Sequence, residues 1–185
     1  MQQRLVRRLV PSDVASYRAL MLEAYAQAPE AFTSSSAERE RMPLEWWAAR
    51  ISDAADAREL VCGAFLGDEL VGAAGLGFEQ RERTRHKATL FGMYVRPAAR
   101  GGGIARAIVH AILRHARQSP LTELVQLTVS ESNVAALRLY ARCGFVPFGR
   151  EPFAVKLGER YITKVHMWRA IERKAAGPAR AAGRA

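Results

Sequence analysis

Three consecutive glycines, Gly101–Gly103, constrain the fold of this chain more than any other short stretch. They follow an apolar segment, His86–Val95, of the kind found in central strands that are buried on both faces. After them, Ile104, Ile108 and Ile112 recur at the spacing of one helical face. Glycines at the start of a helix leave backbone N–H groups open to a ligand, at the positive end of the helix dipole. The sequence therefore predicts a strand–turn–helix unit that can bind phosphate.

Arginines accompany this turn. Arg96, Arg100 and Arg106 are expected to surround it with guanidinium groups, whose paired donors match phosphate oxygens. The turn lacks the Lys-Ser/Thr pair of a Walker loop, and Arg106 occupies the position of the third glycine in a dinucleotide-binding G-x-G-x-x-G motif. The alternative is a glycine turn that only lets the helix pack closely on the strand.

Periodicity elsewhere predicts one α/β domain with a mixed sheet and helices on both faces. The other predicted strands are Leu5–Val10, Glu59–Leu66, Glu69–Glu79, Leu124–Ser130, Phe145–Phe148 and Tyr161–Trp168. Helices are predicted after Pro11, at Pro43 and over Asn133–Cys143, with Gly144 as a C-cap. The segments 29–36 and 149–160 are predicted to be loops.

Composition narrows the class of protein. The chain has 185 residues, of which 49% are hydrophobic and 25% charged, which excludes disordered, collagenous and coiled-coil proteins. Its apolar runs are all well short of the roughly 18 residues that a membrane span needs, and no apolar block follows its first charged residues. We therefore expect no membrane partner, no signal peptide and a cytoplasmic location. Cys62 and Cys143 are expected to be reduced thiols, and no residue spacing suggests a metal site.

The formal net charge of +10 raises the odds of an anionic partner, whether nucleic acid, a phosphorylated cofactor or an acidic surface. Most of the excess lies near the chain ends, in Arg4, Arg7, Arg8 and the segment 169–185. Residues 174–185 are rich in Ala, Gly, Pro and Arg and are predicted to form a basic, disordered tail. This distribution weakens the case for nucleic acid, which we do not expect as a partner.

Two motifs resemble those of the GNAT N-acetyltransferases. Arg100–Ala105 fits the acetyl-CoA-binding pattern R-x-x-G-x-A and follows the segment Gly92–Pro97. The second match is Asn133–Tyr140, followed by Cys143–Phe145. The resemblance extends from residue 5 to residue 168 and implies an acetyltransferase domain over residues 1–170. It also implies a central mixed, mostly antiparallel sheet of about seven strands with helices on both faces.

The resemblance implies an acetyl-CoA-dependent N-acetyltransferase, without a metal, that transfers an acetyl group to a primary amine of a small molecule or peptide by direct attack. In this family the strand matching His86–Val95 carries a bulge and parts from Leu124–Ser130, and the pantetheine arm lies in the gap. The expected cofactor contacts are Met93, Tyr94, Val95, Arg100, Gly101, Gly102, Gly103, Ile104, Ala105, Arg106 and Asn133. A homodimer is left open.

Tyr140 occupies the position that the family uses for the acid that protonates the departing thiolate, and a phenol suits that role. The alternative is a core aromatic on the helical stripe of Val134 and Leu137. The N–H of Val95 is expected to stabilise the oxyanion.

The general base is less clear from the sequence. Relatives use a glutamate in one of two strands, but this chain has Ala88–Phe91 in the first and Gln126 and Thr128 in the second. We expect Glu79, at a strand end beside the cleft, to be the base. His86, Glu131 and a water chain are the alternatives, and His166 is expected to be a core histidine.

Acceptor recognition is expected from Phe32–Ser36, from Trp46 and Trp47, and from Arg150–Tyr161, with one tryptophan in the core and the other covering a surface. Two other functions are open. The missing strand-borne glutamate motivates a non-catalytic acyl-CoA-binding or regulatory domain, and the net charge motivates acetylation of an RNA-linked amine.

Overall fold

The computed structural model describes residues 4–172, in which seven strands form one sheet with helices on both faces. The strands are β1 (Arg4–Arg8), β2 (Glu59–Leu66), β3 (Glu69–Phe78), β4 (Lys87–Val95), β5 (Leu124–Ser130), β6 (Val146–Leu157) and β7 (Arg160–Ala170). The helices are α1 (Val14–Gln27), α2 (Ser36–Glu40), α3 (Leu44–Arg50), α4 (Ile104–Gln118) and α5 (Val134–Arg142). Short 3₁₀ turns cover Pro11–Asp13, Pro29–Ala31 and Pro97–Ala99.

The strand order is β1-β2-β3-β4-β5-β7-β6, and β4 is central as its two apolar faces predicted. The β4–β5 pair is parallel and the other pairs are antiparallel. The predicted mixed, mostly antiparallel sheet of seven strands is therefore confirmed.

Each face of the sheet buries its own core. On one face, α4 and α5 pack on alternate residues of the strands, with Ile108 and Ile112 of α4 fully buried. On the other face, α1 and α3 pack on the opposite set, with Leu20 and Trp47 fully buried. Burying such a side chain contributes roughly 1.5–3 kcal/mol, so both helical layers are firmly held on the sheet.

The centre of the sheet parts between β4 and β5. These strands pair at three positions only, from Lys87 opposite Leu124 to Thr89 opposite Gln126. Further along, β4 bulges against β3, where two residues stand opposite one and Gly92 has φ +61°. The main-chain groups of this half of β4 that face β5 therefore have no strand partner, and the sheet opens into a cleft.

The C-terminal part differs from the prediction. Residues 149–160 are not a loop, because β6 and β7 form a long hairpin that turns at Gly158 (φ +60°). Irregular pairing around Phe153, which has φ +57°, lets the strand continue past Pro152. The predicted loop over 29–36 contains a 3₁₀ turn and ends where α2 begins. The predicted tail, 174–185, lies outside the described residues.

Both cysteines are buried free thiols. Burial raises the pKa of Cys62 to about 12 and also raises that of Cys143, so neither thiol is poised to react at neutral pH. Between residues 4 and 172, no helix is long and apolar enough to span a bilayer.

Candidate active site

The glycine turn is built as the sequence predicted. Gly101 (φ +87°) and Gly103 (φ +76°) lie in the left-handed region, and Gly103 is the N-cap of α4. A glycine cap has no side chain to satisfy the first N–H groups of the helix, so these donors remain available. Gly102 differs from its neighbours, because its φ is not positive and a Cβ there would meet no atom within 4 Å. No contact within residues 4–172 requires glycine at this position.

A groove of about 530 Å³ begins at this turn. Four arginines line it, two from the turn and the start of α4 and two from α5. They are Arg100, Arg106, Arg138 and Arg142. The α5 pair was missed at the sequence level, although their i, i+4 spacing places them on one helical face. The groove therefore joins a concentrated positive charge to the open N-terminus of a helix, the combination that binds phosphate.

Arg96 is not part of this groove, and that expectation was wrong. Its guanidinium bonds Glu23 of α1 at 2.9 Å and also bonds Glu69. Glu23 in turn accepts a hydrogen bond from the hydroxyl of Tyr94 at 3.0 Å. Arg96 thus anchors α1 to the sheet. Of the three predicted arginines, Arg100 and Arg106 remain, and Arg100 is itself fixed by a bond to the carbonyl oxygen of Val95 at 2.9 Å.

The groove continues along the unpaired half of β4. A second cavity of about 390 Å³ shares Val95 and Arg100 with the first and extends to Met93 and Asn133. The Tyr94 side chain turns away into the α1 core, so only its main chain can face this channel. The path from the glycine turn to the bulge is therefore continuous.

The channel ends in a narrow opening of about 80 Å³ between β4 and β5. Its lining combines residues from both faces of the sheet. Leu90 and Tyr140 come from the α4–α5 face, whereas Phe91 and Thr128, at alternate strand positions, come from the other face. A group held in the channel on one face can therefore be reached from the opposite face.

Tyr140 is 5% exposed and packs edge-on against Phe145 at 5.9 Å. Its hydroxyl has no hydrogen-bond partner among residues 4–172. The Tyr140 side chain is one of those that line the opening. Burial raises the pKa of this phenol well above its usual value near 10, so the proton is present at neutral pH. Tyr140 is thus a core aromatic, as the alternative interpretation had it, and also a protonated group at the end of the channel.

Asn133 lines both the channel and the opening, and it is also the N-cap of α5. Its Oδ1 accepts a hydrogen bond from the Ala136 N–H at 3.0 Å. The side-chain amide hydrogens stay available, because capping uses only the oxygen.

Two of the three predicted base candidates lie near the start of β4, before the residues that line the opening. Glu79 follows β3, and its N–H donates to Lys87 O, at the end where β4 and β5 are still paired. His86 precedes β4 at the same end. Glu131 is held by Arg150 through a 2.7 Å hydrogen bond. None of the three lines the opening, so the structure does not bring them together with Tyr140.

One of the predicted acceptor segments contributes to the opening. Phe32 lines the opening. Trp47 is fully buried, whereas Trp46 lies at the surface beneath Arg39 and Arg50. This confirms that one tryptophan is in the core and the other covers a surface. His166 is not a core histidine, since its side chain is 32% exposed.

A sequence profile described as the Acetyltransferase (GNAT) family matches residues 18–145. The chain belongs to this family. Membership confirms the predicted resemblance, and the family uses acetyl-CoA. Between residues 4 and 172, no cluster of His, Cys, Asp or Glu is arranged to hold a metal ion.

Named relatives agree with this assignment. The chain is 31% identical over 144 residues to the mycothiol acetyltransferase of Streptomyces scabiei, covering 77% of this chain and 43% of that protein. It is 27% identical over 124 residues to the L-amino acid N-acetyltransferase AaaT of Escherichia coli, covering 66% and 74%. The chain spans less than half the length of the mycothiol acetyltransferases that it matches.

Solved structures establish the fold. Salmonella typhimurium YncA, solved with its cofactor acetyl-CoA, superposes with a TM-score of 0.77 at 20% identity, over 96% of this chain and 99% of that one.

Proposed function

We propose that this protein is an acetyl-CoA-dependent N-acetyltransferase that acetylates a primary amine of a small molecule or peptide by direct attack. The observation that carries the proposal is the continuous channel from an arginine-lined glycine turn to an opening through the sheet, with Tyr140 at its end. An L-amino acid N-acetyltransferase among the relatives supports an amine nitrogen as acceptor.

The turn fits the diphosphate of coenzyme A. The backbone N–H groups from Arg100 to Arg106 would hold it, and the four groove arginines would balance its charge. Gly102 supports this assignment, because an approaching phosphate is a reason for glycine where the protein's own packing gives none. Along the channel, the main-chain groups of Met93 and Val95 would contact the pantetheine arm, and Asn133 would donate to it.

Residues of the channel and of the opening suit acetyl transfer. Acetyl-CoA supplies an activated thioester when bound. A strand N–H of Val95 would stabilise the negative charge that develops on the carbonyl oxygen, and the phenol of Tyr140 would donate a proton to the sulfur as it leaves. Because the opening spans both faces of the sheet, the acceptor amine can approach from the face opposite α4 and α5.

Two measurements test the proposal. Calorimetry and thermal unfolding with coenzyme A and acetyl-CoA should show binding and a raised melting temperature. Thiol release from acetyl-CoA should then depend on an added amine, screened over amino acids, polyamines, aminosugars and short peptides. Binding without release for any amine would favour the non-catalytic acyl-CoA-binding function, and no binding of either ligand would refute both.

A further inference from the structure

The opening through the sheet has a proton donor but lacks an acidic side chain that could receive a proton. None of the described residues that line it is Asp or Glu. Three carboxylates in this part of the fold already bond arginines: Glu23 bonds Arg96, Glu30 lies 3.1 Å from Arg160, and Glu131 bonds Arg150. Taking up a proton would break such a pair, so these groups are poor acceptors. An alkylammonium acceptor must nevertheless lose a proton before it can attack.

The strand register places a histidine beside the opening. Thr128 of β5, which is exposed and lines the opening, lies directly opposite His166 of β7. Residues opposite each other in an antiparallel pair project from the same face, with Cβ atoms about 5 Å apart. This is the face that carries Phe91, from which the acceptor would approach. His166 is thus one strand away from the reacting group.

A carboxylate orients this histidine. His166 Nε2 lies 2.8 Å from Glu151 Oε2 on β6, and the ring of Phe148 packs against the imidazole at 5.8 Å. If Nε2 carries the hydrogen, it donates to Glu151 and leaves Nδ1 as the basic nitrogen. A carboxylate in this arrangement fixes the ring and stabilises the imidazolium that forms, as in catalytic triads. Glu151 bonds an imidazole, which has a nitrogen that can accept a proton, whereas Glu30 and Glu131 bond arginines, which cannot.

We propose that His166, oriented by Glu151, receives the proton of the acceptor ammonium, directly or through a water or the Thr128 hydroxyl. The proposal rests on the proposed function. The ammonium N–H bond breaks and its proton passes to the imidazole, which leaves a neutral amine. The amine nitrogen then bonds to the thioester carbonyl carbon, and the C–S bond breaks. As the sulfur receives a proton from Tyr140, the nitrogen gives up its second proton to solvent. Tyr140 then regains a proton from solvent and His166 returns its own, so one proton is released for each amide formed.

Charged side chains lie on the same face of the sheet as His166. Glu151 lies on β6, and Lys164 lies two residues away on the same face of β7. Burial lowers the pKa of Lys164, whose amine donates to the carbonyl oxygens of Glu30 and Ala31 and to Ser130. Glu30, at the edge of this surface, is paired with Arg160. Thr128, Phe148 and Trp168, which lie near His166 on the same face or pack against it, are uncharged.

The test compares His166→Gln, Glu151→Gln and Glu82→Gln, using an amine that the wild-type protein acetylates. Glu82 lies in an exposed loop remote from the site and controls for loss of a carboxylate. We expect kcat/KM at pH 7 to fall about 100-fold for His166→Gln and about 10-fold for Glu151→Gln, with little change for Glu82→Gln. Affinity for coenzyme A should stay unchanged, because neither residue lines the cofactor channel, and the melting temperature should change little, because the His166–Glu151 contact is partly exposed.

The pH profile separates proton transfer from a structural role. Wild-type and His166→Gln proteins should differ most at neutral pH, where the acceptor amine still carries the proton that His166 would receive. The difference between the two proteins should shrink as the pH approaches the pKa of the amine, where the substrate is already neutral. A His166→Gln protein that binds coenzyme A and keeps wild-type turnover and pH profile would overturn this inference alone. If the wild-type protein released no thiol with any amine, the proposed transfer and this inference would both be overturned. Coenzyme A binding would still test the cofactor site separately.

Discussion

The two sides of the opening present different kinds of chemical group. The proposed donor side, from the β4 bulge to the start of α4, offers backbone groups that glycines and parted strands leave unpaired, together with the groove arginines. The acceptor side, on β5, β6 and β7, offers side chains that strand register brings together, such as Thr128, His166 and Glu151. A backbone site suits a ligand that does not vary, because most side-chain changes leave it intact. A side-chain site can be altered one residue at a time, so we expect single substitutions there to affect the acceptor more than the donor.

Tyr140 lies where the two sides meet, and its removal should have the largest effect. Tyr140→Phe keeps the packing against Phe145 but removes the proton donor, so kcat should fall about 100-fold or more, while the Kd of coenzyme A changes little. Tyr17→Phe is the matched control, since Tyr17 is equally buried, with a pKa raised to about 12, but packs on Trp47 in the α1 core. Unchanged turnover in Tyr140→Phe would show that the phenol is only a core residue.

The two sides also differ in how much of each the sequence could predict. The donor side comes mostly from contiguous residues, 92–106, so the turn, the helix start and the arginines at 100 and 106 were recognisable from local pattern. Arg96 was misassigned because its partner Glu23 is 73 residues away, beyond the reach of any local rule. The contact between His166 and Glu151 depends on how β6 and β7 pair around an irregular stretch, which the sequence did not reveal.

The second comparison pairs one glycine from each side. A Cβ at Gly102 or at Gly149 would meet no atom within 4 Å, and neither residue has a positive φ, so alanine at either position should leave the melting temperature nearly unchanged. We expect Gly102→Ala to weaken coenzyme A binding about 10-fold, because the methyl group would stand where the diphosphate approaches the backbone. Gly149→Ala should leave this affinity unchanged.

Calorimetry with coenzyme A on both variants tests whether the diphosphate lies against residue 102. Equal affinities would mean that the diphosphate does not lie against residue 102 and that the donor side needs another explanation. A loss of stability in Gly102→Ala alone would instead show that the glycine serves the fold.

The smallest expected effects concern Asn133, which belongs to both sides because it caps α5 and lines the channel as well as the opening. Asn133→Ala removes the cap, which should cost about 1 kcal/mol and lower the melting temperature by about 2–4 °C. Asn133→Asp keeps an oxygen for the Ala136 N–H and should keep the stability, but it loses the amide donors. If those donors hold the pantetheine arm, coenzyme A affinity falls a few-fold in both variants, whereas melting changes only in alanine. Full affinity in Asn133→Ala would limit Asn133 to its structural role and leave the arm to the backbone of β4.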